Sequence, residues 1–332
     1  MPELPRALRL PTIRDIAREA DVSVSAVSHA FNRPEQISPK LRERILHLAA
    51  ERGYRPDPRA RGLRRGESRL VALLVTNLAN VYYAAIANAA QEALARDGFH
   101  LVIVGTGGTR EGETRGLDAV AHERMAGAIL DTHHLAKVEI ERAYAPVVAI
   151  VDESEAIATS CVRLRNYGAA HMAVAHLIGS GRRRIAHITG PLDSPGAVRR
   201  RDAYRAALAG AGLRGPFEAP GDYTFATGRT AMEALLAGIE RLDGLFAAND
   251  LTALGALAAI RARGLRVPDD IAVIGFDNIE EATWSVPPLT TVDQPTAQIG
   301  AAAARLLLAT IGDPALVSYV EMECALVQRA SA

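Results

Sequence analysis

The sequence predicts an α/β chain, with a small all-α headpiece at the N-terminus followed by a two-lobed body of doubly wound parallel sheets. Three observations carry this expectation. Thr12 to Asn32 (TIRDIAREADVSVSAVSHAFN) reads as two short helices joined by a tight turn. From Arg69 onward, short apolar runs of strand length alternate with helix-length segments, the pattern of a parallel sheet covered on both faces. That alternation runs through one set and begins again, which gives two lobes. At 332 residues, with 49% apolar and 23% charged side chains, the chain is long enough for two or three domains around a sizeable core.

The elements follow in order. Three prolines within residues 1–11 exclude a regular element there. Thr12 and Asp15 make a capping box that starts the first helix, and Ile13, Ile16, Ala17 and Ala20 form its apolar face. Ser23 caps the second, whose inner face is Val27, Ala30 and Phe31, while Val24, Ser25 and His29 project outward. Small, varied side chains on an exposed helix start suit entry into a DNA major groove. Asn32 to Ile37 reads as a loop. Ser38 and Pro39 open a third helix with Leu41, Ile45, Leu48 and Ala49 inside, and Gly53 stops it. In Tyr54 to Gly66, Asp57 can cap a short helix from Pro58 to about Arg65; by itself such a helix is too short to be stable, and the bland alternative is a basic linker.

In the body, Leu70–Val75, Leu101–Gly105, Ala128–Leu130 and Val147–Val151 read as the strands of one set. Ile185–Thr189, a strand near Phe217, Gly244–Ala247 and Ile271–Gly275 read as those of the other. Ligands of open α/β sheets bind beyond the carboxyl ends of the strands, so the cleft between lobes is the expected pocket.

Charge is polarised along a chain whose formal total is zero. Residues 1–68 carry 14 Lys+Arg against 9 Asp+Glu, a net of +5, which leaves −5 for the body. A basic head on an acidic body favours a polyanion through the head alone. Cys161 and Cys324 lie far apart without metal-type spacing and read as small buried residues of a reducing compartment. The opening MPELPRALRLP lacks a signal-peptide core, and no run of about 18 apolar residues is free of charge, so a cytoplasmic protein is expected.

The headpiece resembles that of the lactose-repressor/galactose-repressor family of bacterial transcription regulators. The family pattern T-x-x-D-[IV]-A-x-x-A-x-V-S-x-x-T-V-S-x-x-[LF]-N is met throughout, except that Ala26 replaces the usual Thr, and Asp21 stands where a turn Gly is common. The resemblance continues through the body. Arg182 to Ile188 stands at G-H-x-x-I-A-x-[IL], Ala248-Asn249-Asp250 with Ala253 and Gly255 at A-N-D-x-x-A-x-G, Pro268 to Asp277 at P-x-D-[IV]-x-[VI]-x-G-[FY]-D, and Pro288 to Val292 at P-x-L-T-T-[VI]. It implies a helix-turn-helix headpiece over 1–55, a hinge helix over 56–68, and a periplasmic-binding-protein-like body over 69–332. Lobe one would hold about 69–164 and 293–322, lobe two about 165–292 and 323–332.

The resemblance also implies a DNA-binding regulator, a homodimer on a pseudo-palindromic operator, with an effector bound between the lobes and no cofactor or metal. Its DNA contacts would come from Thr12, Ser23, Val24, Ser25, Ser28, His29, Asn32, Tyr54, Arg59, Ala60, Leu63 and Arg64, with Leu63 wedged into a minor-groove step. Its effector contacts would come from Tyr82, Tyr83, Arg200, Tyr223, Asn249 and Asp277. Of Arg199, Arg200 and Arg201 only one can face the cleft, since successive helical residues point about 100° apart, and family register selects Arg200. Its planar fork suits paired hydroxyls or a carboxylate, Asp277 accepts, and Asn249 donates and accepts, unless Asn249 and Asp250 instead form a structural turn at the strand end. The set suits a sugar; a sugar acid, a sugar phosphate and a nucleobase-type corepressor stay open.

Three departures stand out. Arg165 replaces a family acid near a lobe crossover, Asp131-Thr132-His133-His134 is unusual at a strand end and reads as polar cleft lining or a solvated loop, and Trp284 reads as a packing residue. Enzyme readings find little support: Gly105 to Gly108 lacks the third glycine and the acid of a dinucleotide site, and neither a G-x-S-x-G elbow nor a P-loop occurs. A binding protein or enzyme on the same body fold would leave the basic head unexplained.

Overall fold

Thr12 opens the first helix with both halves of its capping box: its hydroxyl accepts from the Asp15 amide, and the Asp15 carboxylate accepts from the Thr12 amide at 2.9 Å. These features come from a computed structural model that describes residues 11–54 and 68–332, apart from 133, 136–138, 141, 142, 156 and 158. The chain divides into two units, Met1–Ser68 and Arg69–Ala332.

In the first unit, helix α1 (Ile13–Glu19) buries Ile16 and Ala17. The turn after it passes through Asp21 at φ 49°, a left-handed conformation that Asp tolerates better than most residues, so Asp stands in for the glycine of relatives. Helix α2 (Val24–Asn32) is capped by Ser23 and buries Val27 and Ala30, with Phe31 partly buried beside them. The expected loop from Asn32 to Ile37 is more ordered than its sequence suggested: α2 runs through Asn32, and Pro34–Gln36 form one 3-10 turn that Pro34 preorganises. Helix α3 (Pro39–Glu51) starts at the Ser38 cap, and Gly53 follows it at φ 66°. Arg44 donates to the Ala20 carbonyl at 2.5 Å and Arg42 to the Ala30 carbonyl at 3.1 Å, satisfying acceptors at the ends of α1 and α2 that no helical amide reaches.

The second unit holds two six-stranded sheets. In the first, β1 (Leu70–Val75), β2 (His100–Gly105), β3 (Gly127–Asp131), β4 (Val147–Asp152), β5 (Cys161–Leu164) and β11 (Tyr319–Met322) lie in the order β11-β5-β4-β3-β1-β2, all parallel. The second sheet takes β6 (Ile185–Ile188), β7 (Phe217–Ala219), β8 (Gly244–Ala247), β9 (Ala272–Asp277), β10 (Thr290–Asp293) and β12 (Ala325–Val327) in the order β12-β10-β9-β8-β6-β7. It is parallel except for β12, which runs antiparallel to β10 at the edge. Strands β5, β10, β11 and β12 were not expected. Each is only three or four residues long; β5, β10 and β11 mix polar with apolar side chains, and β12 is a three-residue apolar stretch too short to stand out. In β10 the buried Thr290 and Thr291 spend their hydroxyls on neighbours, so no apolar run marks the strand.

Helices α4 (Tyr82–Ala95) and α11 (Thr296–Gly312) pack together on sheet one, and α5 (Arg110–His122) follows β2. Gly300 makes the α4–α11 crossing possible, because a Cβ there would lie 2.2 Å from the Ile86 carbonyl oxygen. Around sheet two, α6 (Asn166–Gly179) pairs with α7 (Pro195–Gly210), and α8 (Phe225–Gly238) with α9 (Asp250–Ala262), burying separate cores. The short α10 (Glu281–Trp284) leaves Trp284 65% exposed, which corrects its assignment as a packing residue of the chain. The chain passes between the sheets three times, after Leu164, Asp293 and Met322. Cys161 is buried as expected, whereas Cys324 is only half-buried, and neither is in a disulfide. No helix among the described residues is long and apolar enough to cross a membrane.

Candidate functional site

Helix α2 is apolar on one side and open on the other. Val27 and Ala30 are fully buried, whereas Val24 is 42% exposed, and Ser23 and Ser25 are exposed with their hydroxyls 2.8 Å apart. Its first turn carries no acid, so the positive end of the helix dipole is not offset there. Ser28 and His29 are half-buried along the same helix, and the exposed Asn32 donates to the Ser28 carbonyl at 3.0 Å. Two proposed contacts also hold the unit together: Thr12 engages its hydroxyl in the α1 cap, and the Tyr54 ring sits edge-on to Phe31 at 5.8 Å. Arg59, Ala60, Leu63 and Arg64, with most of the 56–68 hinge, lie outside the described residues.

In the body, a cavity of about 480 Å³ lies between the lobes. The carboxyl ends of the strands build its walls: Thr76 after β1, Gly107 after β2, Asp131 and Asp152 closing β3 and β4, Pro191 after β6, Asn249 after β8 and Asp277 closing β9. The structure brings Tyr82, Tyr83, Arg200, Tyr223, Asn249 and Asp277 together on this one surface.

Among the described lining residues, Arg200 is the cation of the cavity. Its Nε donates to Asn166 Oδ1 at 2.9 Å and one terminal nitrogen to the Ala248 carbonyl at 2.6 Å, while the guanidinium lies 3.7 Å from the centroid of the Phe276 ring. Asn166 passes the chain of bonds on to Asp152 Oδ2 at 3.0 Å, so a lobe-one carboxylate and a lobe-two guanidinium are joined through one amide. Arg199 lies over the Tyr167 ring, with its Nε 3.7 Å from Asp152 Oδ1, and Arg201 pairs with Asp202. Only Arg200 of the three lines the cavity.

Asp277 is 5% exposed, and Gln294 Nε2 donates to it at 2.7 Å. Burial raises its carboxyl to about 7, opposed by the Arg200 charge. The residue sits at φ 124° and Asn278 at 58°, a strained exit from β9 that aims the carboxylate at the cavity. Asn249 serves the fold as well as the cavity wall: its Oδ1 caps α9 at the Thr252 amide, 2.9 Å away, and its Nδ2 donates to the Tyr223 carbonyl at 3.1 Å. Asp250 is structural. Buried and raised to about 6 by desolvation, it accepts from the Thr291 hydroxyl and from the Ile279 amide. The Tyr83 hydroxyl donates to Asp131 and meets Thr76 Oγ1 at 2.7 Å.

Sequence reasoning missed Asp152, Asn166 and Gln294 as cavity residues. The signal available for Asp152 was an acid ending an apolar strand; Asn166 and Gln294 had none, because their placement depends on how the crossovers bring the lobes together. Arg165 lies outside the cavity lining and bonds Glu321 at 3.0 Å and Glu323 at 3.1 Å, so the departure from the family acid is a hinge contact. His133 lies outside the described residues. His134 is half-buried, with its Nε2 2.8 Å from the Gly108 carbonyl and 3.8 Å from Asp193 of the other lobe. Among the described residues no group of three His, Cys, Asp or Glu side chains is placed to hold a metal ion.

A helical headpiece that presents α2, joined in one chain to a two-lobed body with a polar interlobe cavity, defines a ligand-responsive DNA-binding regulator. The chain belongs to the lacI family of bacterial regulatory proteins. Residues 12–57 match that family's headpiece, and residues 174–332 match the periplasmic binding protein-like domain. The ribose operon repressor of Escherichia coli (strain K12) is 33% identical over 331 residues, covering 97% of this chain and 100% of the relative. Among solved structures, the transcriptional regulator CelR–cellobiose complex has a TM-score of 0.73 at 32% identity, with 97% of this chain and all of that one covered. The lac repressor dimer bound to operator and the anti-inducer ONPF has a TM-score of 0.83 at 26% identity, covering 97% of this chain and 99% of that one.

Proposed function

We propose that the chain is a transcriptional repressor that holds a pseudo-palindromic operator as a homodimer and releases it when a sugar or sugar derivative closes the interlobe cavity. The observation that carries this is the contrast along α2, where Val24, Ser23 and Ser25 face outward beside a fully buried Val27 and Ala30. Val24 suits a thymine methyl, and the two serines discriminate weakly, so operator preference owes much to the 56–68 segment and to DNA deformability. Ser23, Val24, Ser25, Ser28, His29 and Asn32 are the proposed base and phosphate contacts; Arg59, Ala60, Leu63 and Arg64 join them on sequence grounds. Thr12 and Tyr54 contribute chiefly by holding α1 and α3 in place.

Dimerisation is supported by the exposed Phe225, Trp284 and Val286 of lobe two. These lie on neighbouring segments, since Phe225 backs onto Gly255 of α9 and Arg261 of α9 binds the Val286 carbonyl. Such a regulator works in the cytoplasm and carries out no catalysis. The test is selection of genomic DNA fragments by the full chain, followed by gel shift with and without candidate sugars. Repeated recovery of an inverted repeat that Val24→Ala/Ser25→Ala binds at least tenfold more weakly is expected. Recovery of random fragments, or an unaltered affinity in the double variant, would sink the proposal.

A further inference from the structure

The charge balance of the cavity points to what its ligand lacks. Among the described residues six carboxyl groups line it, Asp131, Asp152, Glu155, Asp193, Asp222 and Asp277, against the guanidinium of Arg200, with Arg199 3.7 Å from Asp152 behind the wall. Two of the five Arg200 N–H groups are already given to Asn166 and Ala248. The start of α7 reaches the cavity at Pro195 and Gly196, but a helix N-terminus contributes only about half a positive charge, and Pro195 has no N–H to offer. Acids therefore outnumber cations on the walls, and the donors beside them are neutral hydroxyls and amides. Gln294 Oε1 adds an acceptor, being buried in the lining without a partner among the described residues.

Anions need the opposite surface. A phosphate monoester carries roughly −1.5 to −2 charges at neutral pH and presents only acceptors, whereas sugar hydroxyls donate to carboxylates and amide oxygens. We infer that the effector is a polyol without an anionic group, and that the lobe-one wall of Asp131, Asp152 and Glu155 is what rejects sugar phosphates and sugar acids. This rests on the cavity being the effector site. The wall is held in place from within lobe one and across the hinge: Tyr83 donates to Asp131, the Asp152 amide to Glu155 at 2.9 Å, and Asn166 to Asp152. Burial raises the Glu155 carboxyl to about 7, with the charges of Asp152 and Asp131 adding to it; the shortage of positive charge lies in the lining itself, where the acids outnumber the cations. A further anion would meet that shortage, whereas hydroxyl donors relieve it.

The test uses the full chain in calorimetric titrations with D-ribose, D-xylose, D-glucose, D-galactose and cellobiose, each beside its phosphate or uronate where one exists. Native mass spectrometry is run in parallel on the protein incubated with a bacterial small-molecule extract before and after phosphatase treatment. The expected result is a neutral ligand whose phosphate or acid binds at least 100-fold more weakly, a gap that Asp131→Asn/Glu155→Gln narrows at least tenfold. Glu155→Gln alone, at a half-buried position, narrows it in the same direction and guards against misfolding of the double variant. Tighter binding of a sugar phosphate or acid than of its neutral parent overturns the inference, as does an unchanged gap in both variants. If neither the panel nor the extract yields a bound ligand, the effector cavity itself is refuted, and the inference falls with it.

Discussion

Arg165 bonds Glu321 at 3.0 Å, and this contact ties the first crossover of the body to the edge strand β11 of sheet one. Glu323, on the third crossover, joins the same guanidinium at 3.1 Å. The group is exposed, so its contribution to global stability is small and salt-screened, but it spans two of the three segments that join the lobes. In Arg165→Glu, thermal unfolding is expected to stay close to that of the wild type while the interlobe distance distribution broadens, measured by electron–electron resonance with one spin label on each lobe. Wild-type protein in molar salt should move toward the same distribution. Identical distributions in both proteins would refute a hinge role.

Burial of Asp277 weighs against the fold at neutral pH. Its folded value of about 7 lies above the ordinary carboxylate value of 3.8, so stability is present below that range and is lost as pH rises through 7. Asp277→Asn carries no such loss. In urea melts, the variant should gain on the order of 4 kcal/mol on the wild type between pH 4 and pH 7 and keep that gain at higher pH. A gap independent of pH would show that Asp277 is not buried as described.

His187 works in the other direction. It is fully buried on β6, stacked on Phe246 at 4.9 Å with Nδ1 2.9 Å from the Phe246 carbonyl, and burial lowers its value to about 4 from 6.5. Stability is present above 6.5 and is lost as pH falls toward 4. Relative to His187→Gln, the wild type should lose up to about 3 kcal/mol across that window, read from urea midpoints at half-unit steps of pH. Parallel curves for the two proteins would contradict the assignment.

Gly275 keeps a place for Asp250. A Cβ at position 275 would lie 2.1 Å from Asp250 Oδ1, which serves Thr291 while Oδ2 holds the Ile279 amide. Gly275→Ala should cost about 3 kcal/mol through overpacking and disrupted hydrogen bonds, measured by guanidinium unfolding. Wild-type stability in that variant would mean that the β9–α9 packing is looser than described.

How far the sequence carried depends on the range of the interaction. The caps at Thr12, Ser23 and Ser38, and the strands whose apolar runs are continuous, were legible because adjacent residues decide them. The short strands β10 and β11 were not, since Thr290 and Thr291 are buried only by satisfying their hydroxyls on distant partners, and β11 pairs with β5 more than 150 residues away. The motif positions named Arg200 and Asp277, but not their environment. That Phe276 underlies the guanidinium, that Asn166 links it to Asp152, and that the cavity is ringed by acids follow only from three crossovers bringing separate strand ends together. By itself, the sequence determined the kind of protein: a basic helical head on a doubly wound, two-lobed body, because capping and periodicity are local and act before the chain folds up. Tertiary structure alone decided the charge of the cleft and the wiring of the hinge, because solvation and pairing of a carboxylate depend on groups that are near in space and far in sequence.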